Sequence, residues 1–241
     1  MRWTDEAIGL MERAASRAPY YDEIADVLCA SLPAGSRVCD AGCGLGHLSL
    51  ALAARGMRVT AVDISAEALC VLERLKAGRG IDIRCGRVEE MIPDTPYDAM
   101  VFSLFGSAQE VARTAAAQCR GDVFIVARND DAHRFSVRRH ALAHEDYADM
   151  RRALDAMGVP YEGTTLAPEI GQPLRDINEA RRFFALYSRD DPSLITDDFL
   201  RARLVRTDDP DFPYYLPHRR QLGVIHFRAA DIPCGGYSAP N

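Results

Sequence analysis

The chain has 241 residues, 48% apolar and 27% charged, enough for one buried core with an elaboration and ordinary for a globular protein. A formal charge of −6 leaves no overall basic footprint for nucleic acid, so DNA is not an expected partner. No apolar run is long enough to span a bilayer, and residues 1–12 are mixed and charged, unlike a signal peptide.

Residues 4–17 read as an amphipathic helix with Ile8, Leu10, Met11 and Ala15 as its stripe, broken by Pro19. Tyr20 and Tyr21 follow, and residues 22–31 read as a second helix carrying Ile24, Val27 and Leu28. After a turn at 32–35 the first strand is 37–41. Three glycines in five positions, Gly42, Gly44 and Gly46, then open a helix that runs to Arg55. The second strand, 57–63, ends in Asp63, and Ser65 is an N-cap for a helix through Lys76. Strands at 81–85, 99–103 and 122–127, with a helix over 106–117, complete an alternation that predicts a parallel sheet with right-handed crossovers. The second half is less regular. It offers a helix at 145–157, a short strand at 164–167, a helix at 178–188, a loop-rich piece with Pro192, Pro210, Pro213 and Pro217, and a closing strand at 222–227. The seven cysteines include no C-x-x-C pair and have irregular spacing, which speaks against a disulfide framework and a metal cluster. Cys29, Cys39, Cys70, Cys85 and Cys119 fall in apolar stretches and read as small buried residues of a cytoplasmic protein.

The chemistry concentrates in residues 38–46 and 59–63. Strand, tight glycine turn and helix let a backbone approach a ligand and aim free N–H groups at it. Asp63, ending the second strand, is placed to accept hydrogen bonds from both hydroxyls of a ribose. A dinucleotide fingerprint counted from Gly42 requires glycine at position 47, where this chain has His47. The motif here is instead Asp-x-Gly-x-Gly-x-Gly, with Asp40 suited to a ligand carrying an ammonium group. This motif and Asp63 resemble the corresponding features of class I S-adenosylmethionine-dependent methyltransferases, over roughly residues 20–129.

The resemblance implies a Rossmann-like, doubly wound, mostly parallel sheet of seven strands with an antiparallel last strand. It implies one domain: an N-terminal helical cover (1–32), a cofactor-binding core (33–169), an insertion acting as a lid (170–220) and the closing strand (221–230). The implied cofactor is S-adenosylmethionine, with S-adenosylhomocysteine as product. Asp40 would meet the methionine ammonium, directly or through water, and Gly42, Gly44 and Gly46 would let the backbone approach the methionine part. Asp63 would bind the ribose, with Ile64 packing on the adenine. After the third strand the family often places an acid where this chain has Arg87, so Val88 is left to supply backbone and apolar contact to the adenine, with Glu89 or Glu90 as substitute acids or a solvated helix start. Ser103, after the fourth strand, joins the cofactor set.

The loop Ser103-Leu104-Phe105-Gly106 lacks the Asp/Asn-Pro-Pro-aromatic and Pro-Cys motifs of nucleic-acid base methyltransferases, which favours a small-molecule acceptor with an O, N or S nucleophile. His133, after the fifth strand, is a candidate base or substrate contact, against the alternative of a surface histidine. Tyr20, Tyr21 and Asn129 are candidate substrate contacts; Tyr214 and Tyr215 either line a substrate pocket or anchor a lid to the core. His47 reads as a helix cap, and Arg181, Arg182, Arg219 and Arg220 as a solvated face or as ligands for a carboxylate or phosphate. Three other readings stay open: a protein or tRNA methyltransferase, a non-catalytic S-adenosylmethionine-binding protein, and a nicotinamide-dependent oxidoreductase. The oligomeric state is not legible.

Overall fold

The computed structural model describes residues 3–130, 135–138 and 146–233. Helices α1 (Asp5–Arg17) and α2 (Tyr20–Cys29) precede an alternation of β1 (Arg37–Ala41), α3 (His47–Ala54), β2 (Arg58–Asp63), α4 (Ala66–Leu75), β3 (Asp82–Cys85), β4 (Tyr97–Ser103), α5 (Ala108–Gln118) and β5 (Cys119–Arg128). Then come α6 (Tyr147–Met157), β6 (Glu162–Leu166), β7 (Gln172–Leu174), α7 (Ile177–Tyr187), α8 (Asp197–Arg203), β8 (Val205–Arg206), β9 (Tyr214–Leu216) and β10 (Leu222–Arg228). Short polar residues start most of the described α-helices. Thr4 and Ser65 accept the N–H groups of Ala7 and Ala68, both at 3.2 Å, and Ser107–Glu110 and Asp146–Asp149 form reciprocal capping boxes.

The main sheet has seven strands in the order β3-β2-β1-β4-β5-β10-β6. Strands β1 to β5 pair in parallel, and β10 runs antiparallel to both β5 and β6. The expected seven-stranded, mostly parallel architecture with an antiparallel final strand is therefore present. Alternation decides which helices cover which face. Val38, Val59, Val101 and Val126 face a core shared with α2, α3 and α4. Their neighbours Cys39, Val62, Met100, Phe102 and Ile125 face α5 and α6.

Several local expectations change. Pro19 is the N-cap of α2, so Tyr20 and Tyr21 form its first turn rather than preceding it. Cys70 and Cys85 are exposed, because Leu69, Val71 and Leu72 take the inward positions of α4 and β3 is the sheet edge. The loop-rich piece contains order that short, proline-punctuated strands do not announce. A second sheet, β7-β9-β8, packs with α7, α8 and Leu10 of α1 around Leu174, Phe183, Phe184 and Leu216. Among the described residues no helix is long and apolar enough to cross a membrane.

Candidate functional site

The strand order reverses between β1 and β4, the crevice where ligands settle in open α/β sheets, outside the carboxyl ends of the strands. The glycine turn lies there. Gly42, Gly44 and Gly46 have φ of 70°, 54° and 75°, a region that side chains other than glycine rarely enter. A Cβ on Gly42 would stand 2.5 Å from the Phe105 ring, so this turn is tight against protein as well as open to a ligand. The N–H groups of Gly42 and Cys43 bond to the Val62 carbonyl at 2.8 and 3.0 Å, tying the turn to β2.

Asp63 closes the turn from the other side. Its Oδ2 accepts from the Gly44 N–H at 2.8 Å and its Oδ1 from the Ser65 N–H at 2.9 Å. Each oxygen keeps a further lone pair, so the carboxylate is oriented by the backbone and can still accept a vicinal diol. Asp40 is 1% exposed. Its Oδ2 accepts from Ser49 Oγ at 2.5 Å, and the Ser49 backbone adds a second hydrogen bond to the carboxylate. Burial pushes its pKa up to about 6, the hydrogen bond from Ser49 pulls it down, and the nearby Asp63 charge adds to the rise. A buried carboxylate held this way suits a cationic ligand group.

A cavity of about 1210 Å³ joins these groups. Asp40, Gly42, Gly44, Gly46, Asp63, Ile64 and Ser103 all line it, as do Tyr20 and Tyr21. Ile64 is 72% exposed on its rim, an apolar shelf with nothing over it. A smaller cavity of about 220 Å³ lies beyond, reached by Gly42, Asp63, Ile64, Arg87 and Val88. Val88 is buried and its carbonyl accepts from Gln118 Nε2 at 2.6 Å, which leaves its N–H as the backbone group it can offer. Arg87 is paired with Glu89 and Glu90, so all three charges engage one another at that rim. Phe105 borders both cavities. Its neighbours Leu104 and Gly106 have φ of 55° and 76°, which folds the ring back over Gly42.

Other expected residues lie elsewhere. Asn129 is exposed, donates its N–H to Gln221 at 2.9 Å, and lines neither cavity. Tyr214 and Tyr215 belong to the second sheet, also away from both cavities. The Arg206 guanidinium lies 4.2 Å from the Tyr214 ring centroid, and Tyr215 donates to Glu169 at 2.7 Å. These contacts suit anchoring rather than substrate binding. His133 lies outside the described residues.

His47 does not cap α3, whose N-cap Gly46 makes no side-chain cap bond. Its Nε2 is buried without a partner, its ring lies 5.2 Å from that of Tyr21, and it lines the large cavity. Burial holds its pKa below the ordinary value, so it stays neutral and can meet a polar ligand group. Trp3, Phe105, Arg128, Tyr187, His218 and Arg220 also line this cavity; Phe105 belongs to the loop after β4 and Arg220 is one of the arginines named above as candidate ligands, while the other four come from segments distant in sequence with no local pattern to mark them.

Sheet order and glycine turn give a Rossmann-like, doubly wound α/β architecture. Residues 38–122 match the family model described as a methyltransferase domain. The chain is 41% identical over 71 residues to the ubiquinone biosynthesis O-methyltransferase of Chromobacterium violaceum, covering 28% of this chain and 31% of that protein. It is 34% identical over 116 residues to its counterpart in Pseudomonas aeruginosa, covering 43% and 50%. A 34-residue stretch is 68% identical to an S-adenosyl-L-methionine-dependent Diels-Alderase of Talaromyces variabilis, covering 14% and 12%. The chain thus spans half or less of the length of these curated relatives. Among solved structures, the YcgJ protein of Bacillus subtilis superposes with a TM-score of 0.54 at 15% identity, covering 87% of this chain and 98% of that one. The likeness at that identity is one of fold.

Proposed function

We propose that this chain is an S-adenosylmethionine-dependent methyltransferase acting on a small molecule. The observation that carries the reading is the pairing of buried Asp40 with backbone-oriented Asp63 across one glycine turn, in a cavity large enough for two ligands. The residues fit that cofactor: Asp40 for its ammonium, Asp63 for its ribose, Ile64 and Val88 for its adenine, and the orphaned Nε2 of His47 for a polar group of its amino-acid part. When bound, S-adenosylmethionine supplies a methyl group on an already activated sulfonium.

The protein's part is then alignment and exclusion of water. Asp40 and Asp63 fix the two ends of the cofactor, and Tyr20, Tyr21 and Phe105 wall the space beside them. The acceptor atom takes the methyl as the carbon–sulfur bond breaks, and any proton it sheds passes to a base or to water. His133, after β5 in sequence, remains the proposed base. The stretch 170–220 is the proposed cover, since Tyr187, His218 and Arg220 from it or its edge reach the cavity wall.

The O-methyltransferase relatives favour an oxygen nucleophile on a small acceptor. The Diels-Alderase relative favours a second reading, in which the cradle binds cofactor without transferring methyl. Calorimetry with S-adenosylmethionine, S-adenosylhomocysteine and NADH, on wild type and Asp63→Ala, tests the cradle. Release of S-adenosylhomocysteine over an acceptor panel tests turnover. Asp63→Ala should weaken both sulfur nucleosides by about 1.5–3 kcal/mol, the cost of hydrogen bonds to a charged group. Binding of NADH alone would overturn the reading; tight cofactor binding with no acceptor turned over would leave the second one standing.

A further inference from the structure

The large cavity has a positive corner that the cofactor cradle does not explain. Arg128 ends β5, and Arg220 lies two residues before Leu222, which is its register partner on β10. Arg128 at the end of β5 and Arg220 in the segment leading into the adjoining β10 therefore stand at one end of the sheet, and both line the cavity. Arg220 is fixed by its N–H on the Pro168 carbonyl at 3.0 Å, and its Nη1 meets Tyr20 Oη at 3.4 Å. The guanidinium of Arg128 makes no hydrogen bond to a protein acceptor among the described residues. Burial, and then the charge of Arg220, hold its pKa below the usual arginine value. Asp130 faces both arginines and has its own partner, and Arg189 adds further positive charge beside Arg128. Two like charges set together and half-buried are relieved by an anion, and a planar pair of guanidinium forks matches a carboxylate.

Position says which anion. In the order β2-β1-β4-β5, Arg128 stands three strands from Asp63 and two from Asp40, about 14 Å and about 10 Å at the usual strand spacing. That is the side of the crevice away from the ribose site. The walls there are rings: Tyr20, Tyr21, Phe135, Tyr187 and His218. Resting on the methyltransferase reading above, we propose that Arg128 and Arg220 clamp a carboxylate of the acceptor, and that the acceptor is a flat aromatic acid. The same chemistry has a second source, the α-carboxylate of the cofactor itself, and the test separates the two.

Wild type, Arg128→Gln, Arg220→Gln and Arg220→Lys are titrated calorimetrically with S-adenosylhomocysteine and with its decarboxylated analogue. Each protein, with and without saturating S-adenosylhomocysteine, is then titrated with 4-hydroxybenzoate and with its uncharged amide, 4-hydroxybenzamide. The proposal expects wild type to prefer acid over amide by at least about tenfold, the low end for a charge-assisted pair. It expects the preference to fall to near unity in both glutamine variants, with partial retention in Arg220→Lys. S-adenosylhomocysteine affinity should change by less than about threefold, which also certifies that the variants are folded. Loss of S-adenosylhomocysteine affinity in the variants, with the decarboxylated analogue unaffected, would assign the clamp to the cofactor and overturn the proposal. Equal binding of acid and amide by wild type, or binding of neither, overturns it as well. A wild type that binds no S-adenosylhomocysteine yet prefers the acid refutes the methyltransferase reading and keeps the clamp.

Discussion

At the scale of single residues, Asp40 sets an opposition between stability and binding. Its folded pKa of about 6 exceeds the ordinary 3.8 because burial disfavours the charge. The folded state therefore holds the proton more tightly than the unfolded chain. On this group's account, stability is highest below pH 4 and falls as pH rises from about 4 to about 6, then stays level. The shift amounts to roughly 3 kcal/mol at most. Asp40→Asn keeps the shape and an acceptor for Ser49 but drops the charge. It should raise the stability of the ligand-free protein at pH 8 by about 1–3 kcal/mol, while weakening S-adenosylhomocysteine by tenfold or more. Chemical denaturation of both proteins at pH 5 and pH 8 checks this, and the gain should shrink at the lower pH. A cationic ligand reverses the sign, because it needs the ionised form: wild-type affinity should fall about tenfold per unit below pH 6, and Asp40→Asn should lack that slope. Asp63 and His47 line the same cavity, so the comparison with Asp40→Asn, rather than the bare profile, isolates the group. An Asp40→Asn protein less stable than wild type at pH 8 would mean that Asp40 is held by favourable contacts and is not a charge waiting for a partner.

At the scale of elements, legibility follows the length and regularity of the pattern. The β1–turn–α3–β2 unit was readable because glycine spacing, a terminal acid and an N-capping Ser65 agree within 30 residues or so of chain. The second sheet was not: β8 has two residues and β7 and β9 three each, too few to show a period of two. Arg220 was legible only as two alternatives, a solvated face or a ligand for a carboxylate or phosphate. An arginine doublet at 219–220 usually means a solvated face, and Arg219 is indeed exposed. Arg220 turns inward because Tyr20, 200 positions earlier, lies beside it. The cover of the cavity depends on a similar long-range contact. Glu179 of α7 accepts a fork from Arg13 of α1, at 2.8 and 3.2 Å, and the Arg175 N–H at 2.7 Å. Burial pushes the Glu179 carboxyl up, but the hydrogen bonds from Arg13 and Arg175 and their charges outweigh it and hold the pKa below the ordinary value. Its contribution is therefore present at neutral pH and lost as pH falls through that depressed pKa. Glu179→Ala leaves Arg13 unpaired under α7 and should cost about 3 kcal/mol at pH 7, and less at pH 3. Because α1 carries Met11 and leads in from Trp3, all on the cavity wall, S-adenosylhomocysteine affinity should fall with it. Asp146→Ala, which removes at about 1 kcal/mol a capping box whose residues line neither cavity, should leave that affinity unchanged. Equal effects of the two variants on binding would show only general loosening.

At the scale of the whole molecule, the cavity is assembled from parts at opposite ends of the chain. The floor is the carboxyl edge of β1, β2 and β4. The walls come from residues 3–21 and from Tyr187, His218 and Arg220, held together by the Arg13–Glu179 pair and by the apolar cluster that joins Leu10 to α7 and α8. Contacts of this kind cannot form until the core is folded, and they cover less apolar area than the sheet faces do, so they belong to the less stable end of the structure. A ligand that touches floor and walls together should therefore stabilise the walls most. At about a hundred times its Kd, S-adenosylhomocysteine should add roughly 2.7 kcal/mol, a rise in Tm of about 5–10 °C for a chain of this length. Hydrogen exchange locates the gain. Protection is expected in the glycine turn and at Asp63, as any cradle requires, and also across α1, α2 and residues 205–221, which the cofactor reaches only if those segments close on it. Addition of an aromatic acid to that complex should extend protection at 218–221 and at the end of β5, where Arg128 and Arg220 stand. Protection confined to residues 40–65 under both conditions would leave the cradle intact but refute the cover. The cavity would then be an open groove, and a larger acceptor such as a protein or tRNA would become the better reading.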